Sequence, residues 1–312
     1  MESITSAVGI DVSLAHLDIR IEGKKPFKVK NTTECIAAFA STLPAGSLIA
    51  LERSGGYERL AVNLLRAAGH DVRPFNPLAV KRFGQSMGRK AKTDPLDAKT
   101  LSDAGRTLPA PRVKSEERES LCDHARHLHR LKTDLAKVKK RLQRPGLADC
   151  LVASLRRELA FLEGEVKAMH AEFAVRTKAS VCAQDYELAL SVPGVGPVTA
   201  GAVVAELPDD LSDLSPAQIA SYAGLAPLDN SSGKCDGARR IVRGNIRLKA
   251  ALYMPAMRAA TQDEWAKTVY RRLRDNGKSH QSAVVAVMRR LLMRIVAVLK
   301  RRTPWQGVLK KP

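Results

Sequence analysis

The chain has 312 residues, enough for two or three domains with cores of their own, and 45% of them are apolar. Its 52 Lys and Arg against 32 Asp and Glu leave a formal charge of +20, which predicts attraction to a polyanion, and nucleic acid is the commonest one. Aromatic residues at 4% argue against recognition by stacking along unpaired bases. The cysteines, Cys35, Cys122, Cys150, Cys182 and Cys235, are odd in number and form no CxxC pair, as expected of reduced thiols and not of disulfides or a zinc site. No signal-peptide pattern opens the chain, and no uninterrupted apolar run reaches membrane-spanning length. A soluble cytoplasmic protein with no membrane contact is expected, held near the nucleoid if the polyanion is DNA.

Residues 1–107 read as α/β. Val8 to Val12 is an apolar strand carrying one acid, Asp11. Leu17, Ile19 and Ile21, then Phe27 and Val29, alternate as half-buried strands. A short helix over 33–41 precedes a buried strand from Leu48 that ends in Glu52, with a turn at Arg53-Ser54-Gly55-Gly56. Tyr57 to Ala68 is helical and stopped by Gly69, and Val72 to Phe75 is a fifth strand. A basic loop is expected from Lys81 to Lys92. Pro95 is a natural first helical residue, which makes Asp94 the expected N-cap and Asp97 the third residue of the helix that follows.

That pair alone reads equally as capping acids at a helix dipole. Asp11 and Glu52 add a second pair at the ends of apolar strands, where a carboxylate is costly without a partner. With the first and fourth strands adjacent, all four acids would face one another and repel unless divalent cations stood between them. Such hard oxygen ligands suit Mg²⁺ or Mn²⁺.

The G-I-D-V strand, the strand ending in Glu52 and the K-T-D-x-x-D-A helix together resemble a RuvC-like, ribonuclease-H-type nuclease domain. In particular they resemble the DEDD transposases of insertion sequences, relatives of the Piv DNA invertase. An actin-fold sugar kinase also opens on a G-I-D strand, but Ser13-Leu14-Ala15-His16 stands here in place of a Gly-rich phosphate loop.

Residues 108–180 change character. Leu121, Leu128, Leu131, Leu135, Val138 and Leu142, then Leu151, Leu155, Leu159, Leu162, Val166 and Met169, recur at threes and fours around a break at Pro145-Gly146. Two long amphipathic helices are predicted, either an αα-hairpin or a coiled coil that joins subunits into a dimer or tetramer; the coiled coil is the preferred reading. His124 and His127 are helically spaced but lack further ligands except Asp123, and read as solvated or structural.

Residues 181–312 read as a helical domain. Val192-Pro193-Gly194-Val195-Gly196-Pro197 joins two helices like a helix-hairpin-helix, whose Gly194 and Gly196 would let backbone N–H groups approach a phosphate; an ordinary αα-turn has the same outline. Downstream stand Ser231, Ser232 and Gly233, then Arg239, Arg240, Arg243, Gly244, Asn245 and Arg247. A Ser-Ser-Gly loop is usually only a turn, yet guanidinium groups following it could hold a phosphate beside a hydroxyl. No His lies in the segment, so a Ser-His-Asp triad is not expected. Helices are expected over 263–275 and from Ser282, the latter basic and amphipathic and so suited to a core or to a membrane surface.

G-L-x-P, S-G and the basic run ending R-G-N resemble the C-terminal domain of the same DEDD transposases, in which the Ser before the Gly is the nucleophile. That residue is Ser232 here, with Ser231 adjacent, and Val242 stands where that family commonly has Lys. The resemblance implies a composite active site of Asp11, Glu52, Asp94, Asp97 and Ser232. It also implies a covalent serine–DNA intermediate on double-stranded DNA of element ends and targets, and guidance by a structured RNA. A RuvC-like resolvase that hydrolyses Holliday junctions, and a non-catalytic nucleic-acid-binding protein, are the rival readings.

Overall fold

The structure, a computed structural model, describes residues 7–88, 94–112, 114–232, 235–240 and 244–306, with the backbone alone described at 94–97, 228–232 and 235–240. The chain divides into two compact units, Met1–Val113 and Lys114–Pro312.

In the first unit, strands β1 (Val8–Val12), β2 (His16–Ile21), β3 (Phe27–Lys30), β4 (Leu48–Glu52) and β5 (Asp71–Phe75) form one sheet in the order β3-β2-β1-β4-β5. β1 runs antiparallel to β2 and parallel to β4, and β5 is parallel to β4. Because side chains alternate across a strand, each face collects its own residues. Val8, Ile10 and Val12 of β1 and Ile49 and Leu51 of β4 pack with Ile36 and Phe39 of α1 (Thr33–Ser41) and Leu65 of α2 (Arg59–Ala67). The other face carries Ala50, which packs with Phe75, Val80 and Leu101. Leu101 belongs to α4 (Asp94–Thr107), and Val80 to α3 (Pro77–Ser86).

α3 (Pro77–Ser86) corrects the first part of the loop expected from Lys81 to Lys92, of which residues 89–92 lie outside the described residues. Asn76 caps it, its side chain accepting from the Leu78 amide at 2.9 Å, and Pro77 supplies the first helical φ. The basic side chains of Lys81 and Arg82 concealed a helix whose buried contacts are only Val80 and Gly84.

The second unit is built from helices α5 (Glu116–Leu142), α6 (Asp149–Ala179), α7 (Ala183–Leu190), α8 (Pro197–Glu206), α9 (Pro216–Tyr222), α10 (Ile246–Gln262), α11 (Glu264–Asp275) and α12 (His280–Arg301). α5 and α6 fold back on each other within the chain, the hairpin arrangement, tied by Lys139–Glu163 at 2.9 Å and by Glu117 accepting from the Val181 amide at 2.9 Å. α12 buries Val284, Met288, Leu291, Leu292, Ile295 and Leu299 in the core of this unit, so its apolar face is occupied there and does not await a membrane. No helix among the described residues is long and apolar enough to cross one.

The serine segment is also not the irregular loop expected. β6 (Leu228–Ser232) and β7 (Cys235–Arg240) pair antiparallel, with Ser232 opposite Cys235, while Gly233 lies outside the described residues. Five consecutive residues with a single leucine give no alternating apolar signal, so the ladder is invisible to periodicity.

Burial sorts the thiols. Cys122 and Cys182 are buried, and burial pushes both thiols up, whereas Cys150 is exposed and Cys35 half-buried. Iodoacetamide at neutral pH should therefore label Cys150 first and Cys35 more slowly. Cys122 and Cys182 should react only after denaturation, as peptide mass spectrometry would read; early labelling of Cys122 would contradict this core.

Candidate active site

Asp11 and Glu52 meet through strand register. Ile10 pairs with Leu51 in the parallel β1–β4 ladder, so Asp11 and Glu52 are the next residues on neighbouring strands. Both lie on the face opposite Ile10 and Leu51, two residues beyond Gly9 and Ala50, which is the face that α4 covers. Asp18, opposite Asp11 in the β1–β2 ladder, adds a third carboxylate to that face. Like charges directly opposite are destabilising, and Lys28 on β3 offsets this one with its Nζ 3.0 Å from Asp18.

α4 is seated by glycine. A methyl group on Gly9 would collide with the Ala98 carbonyl and stand 2.8 Å from the Ser102 amide nitrogen. Ser102 donates to the Ala7 carbonyl at 3.0 Å, so α4 runs antiparallel to β1, with Ala98 above Gly9 and Ser102 nearer Ala7. Moving from Ala98 back to Asp94 covers about 6 Å of helix, and moving from Gly9 to Asp11 covers about 6.6 Å of strand. Asp94 therefore draws level with Asp11, with Asp97 between it and Ala98. Among the described residues no three His, Cys, Asp or Glu side chains gather into a metal-binding group. The side chains of Asp94 and Asp97 lie outside the described residues.

In the second unit the hairpin bearing Ser232 is clasped at its base. Gly224 and Gly244 stand backbone to backbone, and a Cβ on Gly244 would overlap the Cα and nitrogen of Gly224. Next to them the Asn245 amide donates to the Tyr222 carbonyl at 2.7 Å, and its Nδ2 donates to Glu206 Oε2 at 2.6 Å. The Tyr222 hydroxyl in turn donates to the Glu206 carbonyl at 2.8 Å, and burial pushes its phenol up. Asn245 Oδ1 simultaneously caps α10 by accepting from the amides of Arg247 and Leu248. The R-G-N end of the basic run thus closes a loop of chain onto its own start.

The remaining candidates divide by what the structure describes. Gly194, with φ +83°, and Gly196, the N-cap of α8, lie exposed in the turn between α7 and α8. Arg247 is exposed in the first turn of α10. Arg239 and Arg240 are on β7 with side chains outside the described residues, and Arg243 lies outside them altogether.

Both halves of this arrangement match known proteins. Residues 8–145 match a family model for the DEDD transposase of IS110, described as Transposase, and residues 186–271 match Transposase IS116/IS110/IS902 family. The chain carries the two transposase domains of the IS110 family. The first match takes in Asp11, Glu52, Asp94 and Asp97, and the second takes in Ser232 and the R-G-N clasp.

This chain is 31% identical over 163 residues to an insertion element IS110 uncharacterized 43.6 kDa protein of Streptomyces coelicolor, covering 52% of this chain and 40% of that one. It is 38% identical over 120 residues to a mini-circle putative transposase for IS117 of the same organism, covering 38% and 29%. A pilin gene-inverting protein of Moraxella lacunata is 25% identical over 267 residues, covering 82% of this chain and 80% of that protein. The match spans under half the length of the two insertion-element relatives.

Sequence reading passed over Gly9 in the first unit and, in the second, Glu206 and the facing glycines 224 and 244. Gly9 had a signal, standing inside G-I-D where an apolar strand would prefer a branched residue. Glu206 had one too, as a lone acid ending the apolar run from Ala200, yet it is only 2% exposed.

Proposed function

We propose that this chain is an insertion-sequence recombinase that cuts and rejoins double-stranded DNA through a covalent bond to Ser232. The observation that supports the reading most is the adjacency of Asp11 and Glu52 on the sheet face beneath the helix that begins with Asp94 and Asp97. The strand order β3-β2-β1-β4-β5, with an antiparallel half and a parallel half, supports a ribonuclease-H-type fold for residues 1–107, followed by a helical linker over 108–180 and a serine-bearing domain over 181–312.

The four acids are the right donors for Mg²⁺ or Mn²⁺, being all oxygen and all anionic. When bound, the ion supplies charge stabilisation at the scissile phosphate. The Ser232 hydroxyl attacks phosphorus, an Oγ–P bond forms, and the bond from phosphorus to one bridging oxygen breaks. That oxygen leaves as a strand-end hydroxyl, taking up through solvent the proton that the serine gives up. The phosphoserine keeps the phosphodiester energy, so attack by another strand's hydroxyl rejoins DNA without ATP.

Arg239, Arg240, Arg243 and Arg247 would hold the flanking phosphates, and the Gly194–Gly196 turn would offer backbone N–H groups to another in helix-hairpin-helix manner. The exposed apolar side chains of Leu151, Phe161 and Val175 on α6 suit a coiled-coil contact that joins subunits into a dimer or tetramer. The charge of +20 suits both DNA and a structured guide RNA transcribed beside the gene.

Cleavage of labelled element-end DNA, with the adjoining transcript and Mg²⁺ present, tests this. A protein–DNA adduct that survives denaturation is expected, lost in both Ser232→Ala and Asp11→Asn and kept in Ser231→Ala. Free strand ends made equally well by Ser232→Ala would favour hydrolysis by a resolvase. DNA binding with no cleavage, unchanged on loss of all four acids, would leave only a binding protein.

A further inference from the structure

Asp11 and Glu52 stand at the C-terminal ends of β1 and β4, which run parallel, so the loops that follow them leave the sheet at one end. Each loop holds an apolar side chain out in solvent. Leu14, three residues past Asp11, is 70% exposed at the tip of the β1–β2 hairpin. Tyr57, five past Glu52, is 51% exposed just ahead of α2.

Apolar residues scattered singly on a surface need no explanation, but these two sit on loops that are clipped together. The Asn31 side-chain Nδ2 donates to the Ser13 carbonyl at 3.0 Å and to the Tyr57 carbonyl at 3.1 Å, and its amide donates to the Ala15 carbonyl at 2.9 Å. Each loop is also closed on itself. The Ser13 hydroxyl donates to the His16 carbonyl at 2.7 Å, and Glu58 Oε2 accepts from the amides of Ser54 and Gly56 at 3.1 and 2.8 Å. Turns held by such bonds ordinarily carry small polar residues at their tips. Here a leucine and a tyrosine contribute little burial to the fold and stand on fixed backbone beside the acids.

A strand whose phosphate reaches Asp11 and Glu52 passes this same end of the sheet. In an intact duplex its bases are stacked and paired, and strand exchange requires them to part at the cut. Apolar side chains pushed between base steps unstack them and kink the duplex, and a tyrosine ring offers a face that any base accepts. The scarcity of aromatics is no obstacle, since a wedge acts at one step and needs no row of rings.

We propose that Leu14 and Tyr57 form a wedge that enters duplex DNA beside the scissile phosphate and parts the base pair there. The inference rests on the recombinase reading above and adds substrate-contacting residues to its first unit.

The test uses an element-end duplex with 2-aminopurine, which brightens on unstacking, beside the cut site, and the full chain with the adjoining transcript. Binding by Ser232→Ala, which leaves the first unit untouched, should raise the fluorescence, and adding Leu14→Ala with Tyr57→Ala should abolish the rise. In the otherwise unsubstituted chain that pair should lower adduct yield at least about tenfold, whereas Tyr57→Trp should retain it. Both side chains are exposed, so urea unfolding should shift little. A mismatch at the same step, which parts the pair in advance, should restore adduct to the double variant; a loosened fold is not cured by a change in the DNA. Full adduct from the double variant on matched DNA, or a defect that the mismatch leaves in place, would overturn the wedge. Adduct from the unsubstituted chain with no fluorescence rise on binding also removes it and leaves the recombinase reading standing. A rise that depends on Leu14 and Tyr57, with no adduct from any variant, upholds the wedge and sinks that reading. No binding to the duplex sinks both.

Discussion

Gly9→Ala should lower the stability of the first unit by about 3 kcal/mol, the upper end for overpacking, and cut adduct formation at least about a hundredfold. The added methyl meets backbone on both sides, the Ala98 carbonyl and the Ser102 amide, and no rotamer change can relieve backbone. α4 must therefore lift away from β1. The lift is centred one residue from Asp97, so it displaces both helix acids relative to Asp11 and Glu52. Misplacement by about 1 Å is enough to cost two orders of magnitude in a reaction that depends on alignment. Gly105→Ala is the comparison: its Cβ would meet the Ala50 Cβ at 2.8 Å, three turns from Asp94, and should destabilise with a smaller loss of cleavage. Urea unfolding and adduct yield read both effects. A Gly9→Ala protein with the wild-type adduct yield would refute the proposed role of α4 in carrying the acids.

At the other end of the chain, Gly244→Ala should be as damaging for a different reason. Gly244 has φ +125°, a region that L side chains rarely enter, and its missing Cβ makes room for the backbone of Gly224. An alanine would have to open the base of the hairpin that bears Ser232. Stability of the second unit should fall by about 3 kcal/mol from the combined overlap and strain. Adduct formation should fall at least about a hundredfold through loss of serine alignment, while the first unit unfolds at its usual urea concentration.

Asn245→Asp separates the clasp from the helix cap. Aspartate caps α10 as well as asparagine does, but it faces the Glu206 carboxylate with a second carboxylate where a donor stood 2.6 Å away. Loss of adduct in Asn245→Asp with α10 intact by circular dichroism would assign the damage to the clasp. Full activity in that variant would show that the serine segment needs no such closure.

Much of this molecule is legible from residue order alone. The strands of the first unit and the long helices of the second follow from alternation and from spacing at threes and fours, because those periods arise from local backbone geometry. Asp11 and Glu52 could be singled out as candidates because each is a lone acid near the end of an apolar strand, whereas Ser232 was marked as a candidate by the arginine run after it and by resemblance to a transposase motif. α3 and the β6–β7 hairpin escaped because their sequences are polar and basic, so their order comes from a cap and a ladder and not from an apolar face.

What residue order could not reveal is which backbones touch. That Gly9 lies beneath Ala98, and Gly224 against Gly244, depends on segments separated by about ninety and twenty residues packing at contact distance, and a glycine looks the same in a strand whether or not anything approaches it. The burial of the Glu206 carboxylate among Asn245, Lys114 and Arg126 is likewise a product of α8 meeting α5 and the start of α10. Chemistry-bearing residue types are a property of the chain, whereas the distances that let them act are set by non-local packing.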